Sequence, residues 1–298
     1  MDKQVLRNII ITFGENINVH SRIAKSLRRA GRYDEALNEC ETMLKYHQEK
    51  FQETGNEWYL EYIMEDYDQM FTVCLSKGDY RKAQFIKDER IYKMVNDNRL
   101  LTGKRAIKNN NVSCSILQKV ASIEYYDARD YAKAYKIYDK AYNLLLPVSS
   151  VTDNNMRSTL IDICVEMGGA AWRLGKYGVS MRLAEAAILT IKKMSGSVEN
   201  YLNYHRNSTY RKKDYALLLA FAGKWDEAVA MAESAVDAPR CSFCRHGSCY
   251  EAYLSLAKIC EFKNDKAGAL EYYRKANEIG RDDSEVISAM IAFTGGRN

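Results

Sequence analysis

The chain has 298 residues, 44 of them Lys or Arg against 39 Asp or Glu, for a formal net charge of +5, with 47% hydrophobic and 28% charged residues. That balance is enough apolar material for a buried core under a charged exterior, and it excludes the low-hydrophobicity composition of a disordered chain. Two prolines, Pro147 and Pro239, leave long stretches open to helix, and no apolar run approaches the roughly 18 to 20 residues that a membrane-crossing helix needs.

In chain order, the opening segment MDKQVLRNIIITFGEN carries Val5, Leu6, Ile9 and Ile10 at the spacing of one helix face, which suits a short capping helix. It runs into a charged helix without a small-residue cleavage site, so a cytoplasmic location is expected rather than secretion. A motif then recurs: AGRYDEAL at 30–37, KGDYRKAQ at 77–84, ARDYAKAY at 128–135, LGKYGVSM at 174–181, AGKWDEAV at 222–229 and KNDKAGAL at 263–270. Each copy has the chemistry of a tight turn between two antiparallel helices. Gly31, Gly78, Gly175 and Gly223 stand where a left-handed backbone ends the first helix, with Arg129 and Asn264 in the same place in the other copies. Tyr33, Tyr80, Tyr131, Tyr177 and Trp225 supply an aromatic expected to fill the gap beside the turn. Three residues later Ala36, Ala83, Ala134, Ser180, Ala228 and Ala269 leave room for a partner backbone, and Ala24, Ser122, Gly168, Ala216 and Ala257 do the same midway along the first helix. Phe71 departs from that rule in the second copy. Tyr138 with Ala141, Ala232 with Ala235 and Tyr273 with Ala276 continue the pattern along the second helices.

The turn residues stand 47, 51, 46, 48 and 41 residues apart. The length goes into long helices at 33–52 and 58–75 and into polar connections at 96–113, 147–155 and 195–200. The segment 283–293 has the apolar content of a closing helix.

These motifs resemble tetratricopeptide (TPR) repeats, whose units usually recur at about 34 residues. In repeat length the chain is also similar to the sensor regions of Gram-positive peptide-responsive regulators. The resemblance implies an all-α, TPR-like α-solenoid: one domain over 1–298, about six helical hairpins in a right-handed superhelix, with capping helices at both ends. It also implies a concave groove lined by the first helix of each hairpin. Counting from the small mid-helix residues, that groove would present Lys25, Arg28, Arg29, Tyr126, Trp172, Arg173, Tyr210 and Lys213. Basic groups beside broad aromatics suit an extended protein or peptide segment with acidic or C-terminal carboxylate charge.

Two local compositions stand apart from the repeats. Arg99, Lys104, Arg105 and Lys108 form one basic cluster and Arg206, Arg211, Lys212 and Lys213 another. Without a helix-turn-helix, phosphate loop or aromatic-basic strand pattern they read as solvated faces rather than a nucleic-acid surface. Cys40, Cys74, Cys164 and Cys260 fall within helices and Cys114 at a helix start, as small buried hydrophobes. Cys241, Cys244, His246 and Cys249 crowd into PRCSFCRHGSCYE. Three thiols and an imidazole offer the ligand set of one structural zinc, although the one-residue gap before His246 is uncommon, and reduced thiols or a redox pair remain as alternatives.

No nucleophile with a base, H-E-x-x-H, G-x-S-x-G or phosphate-loop pattern appears, and an enzyme is not expected. The expected function is a non-catalytic scaffold that binds a protein or peptide. A ligand-sensing regulatory module of a transcriptional or signalling system is the alternative.

Overall fold

In the computed structural model, which describes residues 17–102, 106–146, 154–203, 208–236 and 248–279 with Val286, Ala289 and Met290, helix is the sole regular structure among the described residues. The helices cluster into two compact units, Met1–Val112 and Ser113–Asn298.

The first unit contains α1 (Ile17–Arg29), α2 (Tyr33–Thr54), α3 (Trp58–Lys77), α4 (Tyr80–Ile86), a π-helical turn (Lys87–Tyr92) and α5 (Lys93–Asp97). Its hairpins are α1 with α2 and α3 with α4, and α2 also packs along α3. Polar cross-links reinforce the apolar contacts: Gln69 donates to Ser21 at 3.0 Å, Lys77 meets Asp34 at 2.6 Å, and both carboxylate oxygens of Glu57 accept the backbone N–H groups of Lys108 and Asn109.

The second unit holds most of α6 (Asn110–Ser122), a π-helical continuation (Ile123–Asp127), α7 (Tyr131–Leu145), α8 (Asn154–Arg173), α9 (Tyr177–Ser195), α10 (Val198–Leu202), α11 (Ser208–Phe221), α12 (Trp225–Val236), α13 (Ser248–Phe262) and α14 (Lys266–Ile279). Its hairpins are α6 with α7, α8 with α9, α11 with α12 and α13 with α14.

All six expected turns are present, and all six residues are left-handed: Gly31, Gly78, Gly175 and Gly223 at φ of 71 to 79°, Arg129 at 54° and Asn264 at 63°. Arg32, Asp79, Lys176, Lys224 and Asp265 each donate a backbone N–H to a carbonyl five residues back, the six-residue closure that ends a helix in this way. The turn at Arg129 is one residue wider, Asp130 donating to the carbonyl of Glu124, because the π-helical segment precedes it. Five of the six helices that follow these turns are started by one of two devices. Asp79, Asp130 and Asp265 accept the N–H of the residue three ahead, whereas Arg32 and Lys224 pair with Glu35 and Glu227. The helix at Tyr177 begins without a side-chain cap from Lys176.

The small residues explain how closely the paired helices approach. Ala36, Ala83, Ala134, Ser180, Ala228 and Ala269 are all buried. At Gly168 a Cβ would lie 2.9 Å from the ring of Phe221, and the Ser180 hydroxyl donates to the Gly168 carbonyl at 2.8 Å. Tyr138, Ala141, Ala232, Ala235, Tyr273 and Ala276 are likewise buried, and Val286 and Ala289 close over the α13–α14 core as expected of a terminal cover.

Three expectations need amendment. Tyr80 and Tyr177 do not fill their turns, being 55% and 56% exposed. The connection at 195–200 contains the start of α10, capped by Ser197, which accepts the N–H of Asn200. Phe71 is buried despite its size. The N-terminal segment with Val5, Leu6, Ile9 and Ile10 and the loop at 147–153 lie outside the described residues. Among the described residues no helix is long and apolar enough to cross a membrane.

Candidate functional site

In the second unit, the first helices of successive hairpins converge on a pocket of about 100 Å³ that opens to solvent. Asp162, Val165 and Glu166 come from α8, and Tyr210, Lys213, Asp214 and Leu217 from α11. Glu251, Leu254, Ser255 and Lys258 come from α13, and Tyr126 reaches in from the π-helical end of the preceding hairpin. The intervals are three and four residues, so each helix presents one face to the same space.

The lining is dominated by charge. Lys213 lies 3.5 Å from Glu251 and over the Tyr210 ring at 4.2 Å. Lys258 lies over the Tyr126 ring at 4.5 Å and donates to its hydroxyl at 3.4 Å. Glu166 accepts from Gln118 at 3.3 Å and from Ser122 at 3.5 Å, and Ser122 shares a 3.1 Å hydrogen bond with the buried Tyr138. Burial pushes the Glu166 carboxyl up to about 7, against the pull of hydrogen bonding with Gln118 and Tyr138 and of the Lys258 and Lys213 charges. Asp162 and Asp214 are also pushed up, each first by burial. Each has a negative neighbour as well, Asp214 acting on Asp162 and Glu251 on Asp214. The phenol of Tyr210 is raised by Asp214 first, then by burial and the other carboxylates, so it remains a neutral hydroxyl at physiological pH.

Of the residues expected in the groove, Tyr126, Tyr210 and Lys213 line this pocket. Trp172 and Arg173 are elsewhere in the unit. Trp172 stands edge-on to Tyr177 at 4.6 Å and Trp225 at 5.3 Å, and its indole N–H donates to the Phe262 carbonyl. Arg173 is paired with Glu261, and its guanidinium lies 5.0 Å from the rings of both Tyr131 and Phe262. Glu261 also receives Arg129 at 3.1 Å and Tyr273 at 2.8 Å. This node secures packing, and the Arg173 charge is already met. Lys25 and Arg29 are exposed and Arg28 is half-buried on α1, in the first unit.

Of the two basic clusters, Lys104, Arg105 and Arg206 lie outside the described residues. Arg211 donates to the Tyr201 carbonyl at 3.0 Å and Lys212 to that of Ser234 at 3.4 Å, each turned to a different neighbour.

The acidic residues that dominate the pocket were missed in the sequence, although a signal existed. Asp162 and Glu166 stand six and two positions before Gly168, Tyr210 and Asp214 before Ala216, and Glu251 and Ser255 before Ala257. The same two offsets from the small residue therefore face one space.

Cys241, Cys244 and His246 lie outside the described residues, as does the side chain of Cys249 at the start of α13. Among the described residues no three His, Cys, Asp or Glu side chains come together closely enough to hold a metal ion. Cys40, Cys74, Cys114, Cys164 and Cys260 are not joined in disulfides, and all but Cys260 are buried.

The stacked hairpins and left-handed turns define an all-α, TPR-like helical repeat protein. Among solved structures the chain is similar to BtubC (BKLC) from P. vanneervenii, with TM-score 0.51 and 12% identity over 84% of this chain and 91% of that one. It also aligns with PilW, a widely conserved type IV pilus biogenesis factor, at TM-score 0.41 and 16% identity over 92% and 97% of the two chains. A tetratricopeptide repeat protein from Parabacteroides merdae aligns at TM-score 0.35 and 14% identity over 94% and 100%. At these identities the likeness to BtubC is one of fold alone. No protein-family model and no curated protein matches the sequence.

Proposed function

We propose that the protein is a non-catalytic scaffold that binds a segment of a partner protein or peptide in the pocket between α8, α11 and α13. The observation that carries this reading is the convergence of charged and aromatic side chains from successive first helices on an open space. Tyr126 and Tyr210 supply contact area at low conformational cost, and the charged groups set orientation. The remaining groove positions, Lys25, Arg28 and Arg29, belong to this proposal as a further contact surface on the first unit. The proposal includes a cytoplasmic location. A ligand-sensing module would use the same pocket, and a change of shape on adding a peptide would favour it.

The test is affinity capture from a cell lysate with mass spectrometry, comparing wild type with a Tyr126→Ala, Tyr210→Ala double variant of matched melting temperature. Loss of the specific partners by the variant is expected. Retention of all of them would show that binding lies elsewhere.

A further inference from the structure

Among the described residues the pocket is lined by more carboxyl groups than cations. Asp162, Glu166, Asp214 and Glu251 face it together with Lys213 and Lys258. Both lysines are engaged, Lys213 with Glu251 and Lys258 with Tyr126, and Glu166 has Gln118 and Ser122. Asp162 and Asp214 remain. Asp214 is only 5% exposed, yet it lines the pocket, and its buried Oδ2 has no hydrogen-bond partner among the described residues. A buried carboxylate oxygen without a donor costs free energy unless something supplies one. No three of these groups come close enough to hold a bare metal ion. A polyatomic cation with its own N–H donors meets both conditions, reaching separated carboxylates through separate hydrogen bonds.

We propose that Asp162 and Asp214 form a receptor for a primary ammonium group carried by the bound peptide segment, either its amino terminus or a lysine side chain. This rests on the scaffold reading above and gives it a charge preference opposite to the acidic segment that the basic groove residues suggested. Asp214 accepts one N–H through Oδ2 and Asp162 a second, while the neutral Tyr210 hydroxyl offers an acceptor at the rim.

The experiment titrates the full chain with three small probes, following carboxyl carbons by NMR. Nα-acetyl-lysine amide offers only a side-chain ammonium, alanyl-alanine amide only an amino terminus, and acetyl-alanyl-alanine amide neither. Saturable binding is expected for at least one cationic probe and not for the neutral one, and which cation binds identifies the source. Asp214→Asn is expected to weaken that binding by about tenfold or more, the scale of a lost charge-assisted hydrogen bond. Asp162→Asn provides the same reading should the first variant fail to fold. No saturable binding of either cation, equal binding of the neutral probe, or a loss below about tenfold in every folded variant would overturn the inference. Such a result, with partner capture still dependent on Tyr126 and Tyr210, would leave the scaffold intact and remove only its charge preference.

Discussion

His47 and Asp66 form a pair buried between α2 and α3, His47 Nδ1 lying 2.6 Å from Asp66 Oδ2, with the imidazole stacked on Tyr62 at 5.2 Å. Burial raises the Asp66 carboxyl, and the contact with His47 opposes that rise. Removing the imidazole leaves a carboxylate with neither water nor partner, so His47→Ala is expected to destabilise by about 3 to 5 kcal/mol in urea denaturation. Replacing the pair together by apolar residues of similar volume is expected to cost far less. Equal losses from the single and double replacements would mean that packing, not charge, dominates the site. In the sequence His47 was one isolated histidine, and nothing in its spacing marked Asp66, which lies 19 positions on and on another helix.

At the scale of helices, the small residues control how near two backbones come. Ala228 is fully buried where α11 and α12 meet, and Ala228→Leu is expected to cost on the order of 1 to 3 kcal/mol through overpacking. A melting temperature unchanged from wild type would show that the interface can expand without penalty. The turn positions were legible because a left-handed residue is a local backbone demand, met by glycine in four copies and by Arg129 and Asn264 in two. Tyr80 and Tyr177 were misjudged because burial depends on what stands beside the turn, and the ring of Tyr177 meets only the edge of the Trp172 cluster. The connection between α12 and α13 carries Cys241, Cys244 and His246, with Cys249 at the start of α13, and we propose that these four residues hold one structural zinc. Metal analysis of protein purified without chelator is expected to return close to one zinc per chain, and Cys244→Ser to lose it. Metal-free protein whose melting temperature ignores a strong chelator would refute that proposal.

For the molecule as a whole, the buried carboxylates set how stability varies with pH. Glu166 is held at about 7, and Asp162, Asp214 and Asp66 are raised as well, Asp66 despite His47. The folded state therefore keeps protons that the unfolded chain has already released, so stability falls as pH rises from the ordinary carboxylate range through about 7. Lys213, Lys258 and Glu251 face the same pocket and moderate the effect, the lysines favouring ionisation and Glu251 opposing it. A series of thermal melts is expected to show higher melting temperatures at mildly acidic pH than at pH near 8. Glu166→Gln is expected to flatten that slope, with an effect on the order of 1 to 2 kcal/mol. A slope of the opposite sign would mean that these carboxylates are ionised more readily in the folded protein than in the unfolded chain.

The sequence by itself determined the helical class, the number and place of the turns and the tight helix contacts. Each of these is a local demand on one backbone conformation or one side-chain volume, repeated along the chain. The first-helix register was within reach too, since Asp162, Glu166, Asp214 and Glu251 sit at fixed offsets from Gly168, Ala216 and Ala257. Only the tertiary structure decided which charges already have partners. Arg173 looked like a groove cation until Glu261, 88 positions along the chain, was found against it. Asp214 looked like one more charge on a solvated helix until its carboxylate was seen to be buried beside an open pocket with one oxygen unmet. The physical reason is that pairing and desolvation depend on distances between helices far apart in sequence, whereas turn geometry and close packing are written into a few adjacent residues.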